Sequence, residues 1–182
     1  MAHLTVKEKE AQVFQKMKEA FHYKNAMAAP KTKKVVINTG TGTAMKKDKN
    51  KNEAIAGRLA KITGQKASLR GAKQSISSFK VRQGDPIGAM ITLRGKRMYA
   101  FLEKLINVAL PRTKDFRGLK RSAVDNIGNL TIGIKEHTIF PETADEDIKD
   151  VFGLSITIVS SAKTKAEGTA FFENLGVPFK KE

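Results

Sequence analysis
The sequence has no cysteine. Disulfide frameworks, Cys-based zinc sites, iron–sulfur clusters and thiol nucleophiles are therefore excluded together. It also lacks a long apolar run. The best stretch, Met98 to Leu110, is interrupted by Glu103, Lys104 and Asn107, so no membrane span is expected. The opening MAHLTVKEKE has neither the apolar core of a signal peptide nor the Arg/Ser bias of a transit peptide. Acidic residues are scarce, with 18 Asp+Glu against 34 Lys+Arg. What remains is a foldable chain of 182 residues with 40% hydrophobic content. A chain of this length buries roughly 70% of its unfolded surface and needs no disulfide or metal staple. A soluble, cytoplasmic protein with no membrane partner is expected. Its net charge of +16 points to a polyanion, most often nucleic acid.

The charge is unevenly placed. Residues 1–140 hold 29 Lys/Arg and 10 Asp/Glu, a net of +19. Residues 141–182 hold 5 and 8, a net of −3. Basic residues cluster at Lys31–Lys34, Lys46–Lys51, Arg70–Arg82 and Arg112–Arg121, while Glu142–Asp150 is acidic. A single charge run is ordinarily a solvated face, but four basic clusters in one chain favour a binding surface.

Thr5 and Glu8 form a capping box that opens a helix with an apolar stripe of Val6, Val13, Phe14, Met17 and Phe21. Lys34 to Asn38 reads as a strand, with Val35 and Ile37 on one face and Lys34, Val36 and Asn38 on the other. Thr39 to Thr43 reads as a loop. A helix follows over about Asn52 to Ile62, ended by Gly64. Ser78 to Arg82 alternates as a strand that turns Phe79 and Val81 inward. Stacking of Phe79 on nucleic acid at a loop tip is the alternative. Gly84–Asp85–Pro86 marks a turn. Ile87 to Arg94 is the next strand, with Ile91 and Leu93 inward and Thr92 and Arg94 outward. A helix spans about Lys96 to Leu110 and buries Met98, Phe101, Leu102, Leu105 and Ile106 before Pro111. Leu130–Ile134 and Leu154–Ile158 alternate as strands. Thr164 and Glu167 read as a second capping box, and Gly176 ends that terminal helix.

No regular strand–helix–strand repeat appears. The pattern predicts an α+β fold: a mainly antiparallel sheet with helices packed on one face, an open face and a long basic loop. Lys34, Asn38, Lys80, Arg82, Thr92 and Arg94 would all point away from the helices. Lys and Arg neutralise phosphate, and Asn and Thr bond to 2′-hydroxyls and base edges. An RNA platform and a merely solvated face both remain open at this point.

Catalytic and cofactor motifs fail. Gly40-x-Gly42 begins a dinucleotide fingerprint, but Met45 stands where the third glycine belongs. There is no P-loop and no Gly-x-Ser-x-Gly elbow. His3, His22 and His137 are scattered and show no metal-ligand spacing. Asp145, Glu146 and Asp147 read as a solvated acidic loop. No catalytic residue, metal or cofactor is expected.

A series of segments carries a family resemblance: Val35-Val36-Ile37-Asn38-Thr39-Gly40, Ile62-Thr63-Gly64-Gln65-Lys66, the long block from Lys73 to Gly95, Leu110-Pro111-Arg112, Asp115-Phe116-Arg117-Gly118-Leu119, Ile139-Phe140-Pro141-Glu142 and the tail from Phe171 to Lys181. In order and spacing they resemble bacterial-type large-subunit ribosomal protein five, the universal 5S rRNA-binding family. The resemblance covers residues 1–182 as one domain, with an N-terminal helix and linker over 1–30 and a sheet-and-helix body over 31–182.

The resemblance implies a non-catalytic protein of the ribosomal large subunit, seated in the central protuberance against 5S rRNA, 23S-type rRNA and neighbouring ribosomal proteins. Its implied 5S rRNA contacts are Lys34, Asn38, Gln65, Thr92 and Arg94. The loop from Gly71 to Lys80 would reach the P-site tRNA through Lys73, Ser75, Ser77, Ser78 and Lys80. An intersubunit bridge to small-subunit ribosomal protein thirteen would involve Arg112, Lys114 and Arg117. The family usually has an aromatic near 124, glycine at 126, a basic residue at 127 and an aromatic at 130. This chain has Val124, Asn126, Ile127 and Leu130, while Asp125 and Gly128–Asn129 match. A freestanding RNA chaperone or assembly factor, and a phosphate-handling enzyme, are the rival classes.

Overall fold
The computed structural model describes residues 4–42, 51–114, 116–143 and 151–180. Among them are four helices, α1 (Val6–Phe21), α2 (Lys51–Thr63), α3 (Gly95–Lys104) and α4 (Lys165–Leu175). The strands are β1 (Thr32–Gly40), β2 (Ser68–Gly71), β3 (Pro86–Leu93), β4 (Leu130–Ile134) and β5 (Leu154–Ser160). They form one antiparallel sheet in the order β2-β3-β1-β5-β4, so the fold is the α+β class that the alternation predicts. Ser68 lies opposite Met90, and Arg70 opposite Gly88, with a register shift after Arg70. Among the described residues, no helix is long and apolar enough to cross a membrane.

The strands alternate as period-2 elements should. Val35, Ile37 and Thr39 are buried on β1, whereas Lys34 and Val36 are half-buried and Asn38 is exposed. On β3, Ala89, Ile91 and Leu93 are buried and Thr92 is half-buried. Thr39 and Gly40 continue β1 instead of opening a loop.

The chain divides into two compact units. The first holds Met1–Val35, Leu93–Ile132 and Thr157–Glu182. In it α1 packs on α4 and α3. Both halves of the Thr5–Glu8 capping box are present. Val13 and Met17 are buried with Met98, Phe101, Leu102, Phe171 and Phe172. Phe14 and Phe21 stay half-buried at the edge of the stripe. The α-helical part of α3 ends at Lys104, and Leu105–Ala109 continues as a π-turn. That wider turn accompanies burial of Leu105, Ile106, Ala109 and Leu110 together. At α4 the second capping box is half made. Thr164 accepts from the Glu167 amide, but the Glu167 carboxylate accepts from the Lys163 amide.

Two buried or half-buried carboxylates tie this unit. Glu10 accepts from the Tyr99 hydroxyl at 2.8 Å and from the Thr32 amide at 3.2 Å. Glu167 accepts from the Tyr23 hydroxyl and from the Lys163 amide. Burial, with the hydrogen bond to Glu10, pushes Tyr99 up to about 12. Burial and the bond to Glu167 raise Tyr23 likewise. Both phenols therefore remain donors at neutral pH.

The second unit holds Val36–Thr92 and Gly133–Ile156. Helix α2 buries Ile55, Leu59 and Ile62, and Gly64 ends it at φ +68°. Asn52 donates to the Pro86 carbonyl at 2.7 Å, and Thr39 donates to Gly153 at 2.6 Å. His137 is buried and stacks on Phe152. The expected strand over 78–82 is absent. Ser77–Phe79 is a 3-10 turn, and Lys80 has a φ of +53° that no strand tolerates. The edge strand is β2, whose four residues are all exposed and so show no alternation. Asp145 to Asp147 and Lys46 to Asn50 lie outside the described residues.

Two helical glycines give opposite predictions. Among the described residues, no atom beyond its own helix backbone and chain neighbours lies within 4 Å of a Cβ on Gly57 in α2, so Gly57→Ala should stabilise by about 0.4–1 kcal/mol. A Cβ on Gly168 in α4 would stand 2.5 Å from the Gly128 Cα and 2.8 Å from its carbonyl oxygen. Gly168→Ala should therefore lose about 1–3 kcal/mol despite the better helix former. Thermal unfolding of both variants checks the signs. A rise in Tm for Gly168→Ala would refute the close approach.

Candidate nucleic-acid interface
The cations and amides expected on the open face take separate places. On β1, Lys34 and Asn38 share a parity opposite to the buried Val35 and Ile37. Asn38, Gln65 and Thr92 belong to the second unit. Gly64 turns the chain out of α2, and the Gln65 amide donates to the Thr63 hydroxyl oxygen. The Gln65 side chain then donates to the Thr92 carbonyl at 3.2 Å, which fixes it beside β3. Lys34 and Arg94 belong to the first unit. Arg94 is exposed at the N-cap of α3. Neither Lys34 nor Arg94 has an ion pair among the described residues.

The basic loop is built by hydrogen bonds within its own segment. Ala72 donates to Asp85 at 2.8 Å, and Gly84 donates back to Ala72 at 3.0 Å. Further out, Ile76 and Val81 exchange bonds of 2.9 and 3.3 Å. Asp85 accepts from the Arg82 amide, and Ser75 accepts from the Gln83 amide. The Ser75 oxygen thus has an acceptor role inside the loop, and its O–H remains a donor. Lys73, Ser75, Ser77, Ser78 and Lys80 are all exposed. Phe79 is 58% exposed, against its expected inward place. Beside this loop lies a groove of about 850 Å³, and both Asn38 and Lys73 line it. The sequence showed no reason for that meeting of a strand residue and a loop residue.

Arg112, Lys114 and Arg117 are exposed on a segment tied to the C-terminal tail. Leu119 donates to Pro178 at 2.8 Å and accepts from Lys180 at 2.9 Å, a parallel bridge. Gly118, at φ +93°, lets the tail pass, because a Cβ there would stand 2.6 Å from the Lys180 nitrogen. Arg121 pairs with Glu173 at 3.1 Å. Sequence reasoning missed this strap, which has no periodicity to reveal it.

The positions that depart from the family pattern fall into two kinds. Val124 and Leu130 are buried and bridge one another. Asn126 and Ile127 are exposed at the loop tip. Asp125 holds that loop, accepting from the amides of Ile127 (3.1 Å) and Asn129 (2.6 Å) and from the Asn129 side chain (2.9 Å).

Comparison with known proteins decides what this arrangement belongs to. Residues 25–82 match the family described as Ribosomal protein L5, and residues 86–179 match the C-terminal region of the same family. The chain is 51% identical over 169 residues to Large ribosomal subunit protein uL5 of Trichlorobacter lovleyi, covering 93% of this chain and 94% of the relative. The same-named protein of Pelobacter propionicus is 50% identical over 92% of this chain and 93% of its own length. That of Halothermothrix orenii is 45% identical over the same shares. The chain belongs to the ribosomal protein L5 family. As a member it is a structural, non-enzymatic ribosomal protein of the large-subunit kind.

The Asp125 loop carries the prediction for this interface. Slight burial raises its pKa, but the bonds from Asn129 and Ile127 outweigh that and leave the carboxyl below its usual range. A lowered folded-state pKa means its contribution is present above the ordinary aspartate range and lost as pH falls through the lowered value. Asp125→Ala should cost about 1–2 kcal/mol at pH 7. The Tm gap from the parent chain should shrink as the pH is lowered below about 4, the ordinary aspartate value. A gap that stays constant with pH would show that the carboxylate is not the anchor.

Proposed function
We propose that this chain fastens 5S rRNA into the central protuberance of the large subunit, beside 23S-type rRNA and neighbouring ribosomal proteins. The 5S contacts are Lys34, Asn38, Gln65, Thr92 and Arg94. The loop bearing Lys73, Ser75, Ser77, Ser78 and Lys80 contacts P-site tRNA. The strapped segment with Arg112, Lys114 and Arg117 meets small-subunit ribosomal protein thirteen. Membership of the L5 family over both family regions supports the ribosomal setting.

The observation that carries the 5S reading is the open parity of β1 and β3. Lys34, Asn38 and Thr92 sit opposite a fully apolar or buried parity, and Lys34 has no internal ion pair among the described residues. Cations of this kind neutralise phosphate, and the amide and hydroxyl groups read ribose and base edges. The loop's self-contained hydrogen bonding supports a projecting arm with its own partner.

Gel shift against a 5S rRNA transcript, with a salt titration and a structured-RNA competitor, tests this. Asn38→Ala with Thr92→Ala should weaken binding by roughly 1–2 kcal/mol per lost polar contact. Unchanged affinity would sink the sheet-face assignment. Lys34→Ala should reduce the slope of log affinity against log salt by about 0.7–0.9. An unaltered slope would mean that Lys34 touches no phosphate. Deleting residues 73–78 should spare 5S binding and impair tRNA contact on the assembled ribosome. Loss of 5S binding instead would put the loop on the wrong RNA.

A further inference from the structure
A chain without cysteine has only thioether sulfur to offer an oxidant, and this one has six methionines. The fold treats them unequally. Met17 and Met98 are each 2% exposed, and Met90 is half-buried. Met1 and Met45 lie outside the described residues. Met27, in the turn between α1 and β1, is 77% exposed, the most exposed large hydrophobic side chain among the described residues.

Two contacts set its sulfur in place. The Asn25 side chain caps the turn, accepting from the Met27 amide at 3.0 Å. The Lys31 ammonium then donates to the Met27 sulfur at 3.6 Å. Lys31 is itself held at its backbone: its amide donates to the Ser161 hydroxyl oxygen at 2.8 Å, and its carbonyl accepts from the Ser161 amide at 2.9 Å. A thioether is a weak acceptor, so the sulfur contact stabilises little by itself. What it does is place an acid beside an accessible, oxidisable sulfur.

We propose that Met27 is a reversible oxidation site for hydrogen peroxide, with Lys31 as the proton donor. The sulfur lone pair attacks one peroxide oxygen, so an S–O bond forms as the O–O bond breaks. Sulfur is oxidised and the peroxide is reduced. The departing oxygen takes a proton from the Lys31 ammonium and leaves as water. The Lys31 amine recovers a proton from the hydroxyl now on sulfur, and the sulfoxide results. Its oxygen is a stronger acceptor than the thioether, so the ammonium stays on it as a charge-assisted donor. Because the side chain is exposed, the polar product forms without opening the core.

A time course in dilute hydrogen peroxide, read by peptide mapping and mass spectrometry, tests this. Met27 should convert well ahead of Met17 and Met98 with Tm unchanged. Lys31→Ala should slow Met27 conversion about 3- to 10-fold, below the roughly 100-fold or more of a preorganised general acid. Lost shielding would instead speed it, so the sign separates acid assistance from simple access. Methionine sulfoxide reductases A and B together should restore the parent mass. Conversion of Met27 no faster than the buried methionines overturns the site. An equal or faster rate in Lys31→Ala overturns the role of Lys31, and a sulfoxide that both reductases leave in place overturns its reversibility.

Discussion
This chain must fold while carrying nearly twice as many cations as carboxylates, and the fold uses several of those carboxylates as internal hydrogen-bond acceptors. Glu10 joins α1 to Tyr99 of α3 and to the start of β1. Glu167 joins Tyr23, just beyond α1, to the turn that opens α4. Asp125, Asp85 and Glu8 accept from backbone amides. In each case the donors are neutral. A carboxylate so held stabilises its neighbourhood without masking a lysine or arginine. The self-repulsion of a +16 chain is the cost of that choice, and a bound polyanion relieves it. Stability and ligand hunger thus come from one allocation of charge.

Close backbone packing is the second device. Gly118 passes the C-terminal tail, and Gly128 meets Gly168 where α4 approaches the loop before β4. Gly128 also has a φ of +80°, so both conformation and space demand glycine there. These contacts fix exposed basic segments without consuming side chains. The segment from Arg112 to Arg121 keeps most of its cations outward because backbone bonds at Leu119 anchor it. The Arg121–Glu173 pair is a surface pair and adds little, on the order of 0–1 kcal/mol.

The legible parts of the sequence were those with one buried face. Val35 and Ile37, Ile91 and Leu93, and Leu154, Ile156 and Ile158 are buried in step with their alternation. The helices were legible through their stripes and their caps at Thr5, Gly64 and Gly176. Ser78 to Arg82 misled because its alternation had no partner to enforce it, and a left-handed Lys80 breaks the run. The real edge strand, Ser68–Gly71, is exposed throughout and leaves no pattern to read. Of the proposed contact residues, Asn38 and Thr92 have the strand parity that alternation predicts. The Gln65–Thr92 bond was not legible, because its partners lie 27 positions apart and only the sheet brings them together. The tail strap and the groove were hidden for the same reason.

The basic loop shows how such an arm can be exposed and still ordered. An exposed loop with five polar side chains would ordinarily lose conformational entropy on binding, which subtracts from affinity. Here two successive backbone closures limit that loss. The Ala72–Asp85 and Gly84–Ala72 bonds clamp the base, and the Ile76–Val81 pair closes a shorter ring further out. The Ser75 and Asp85 side chains accept from the Gln83 and Arg82 amides on the returning limb of the loop. Only residues 77–80 lie beyond the outer closure, and a 3-10 turn sets three of those. The base clamp sits at the end of β2 and uses no residue between 73 and 78. The tip can therefore vary or be removed while β2, β3 and their register remain supported. The hydrogen bonds that hold the end of β2 and those that hold the tip of the loop are thus made by different residues.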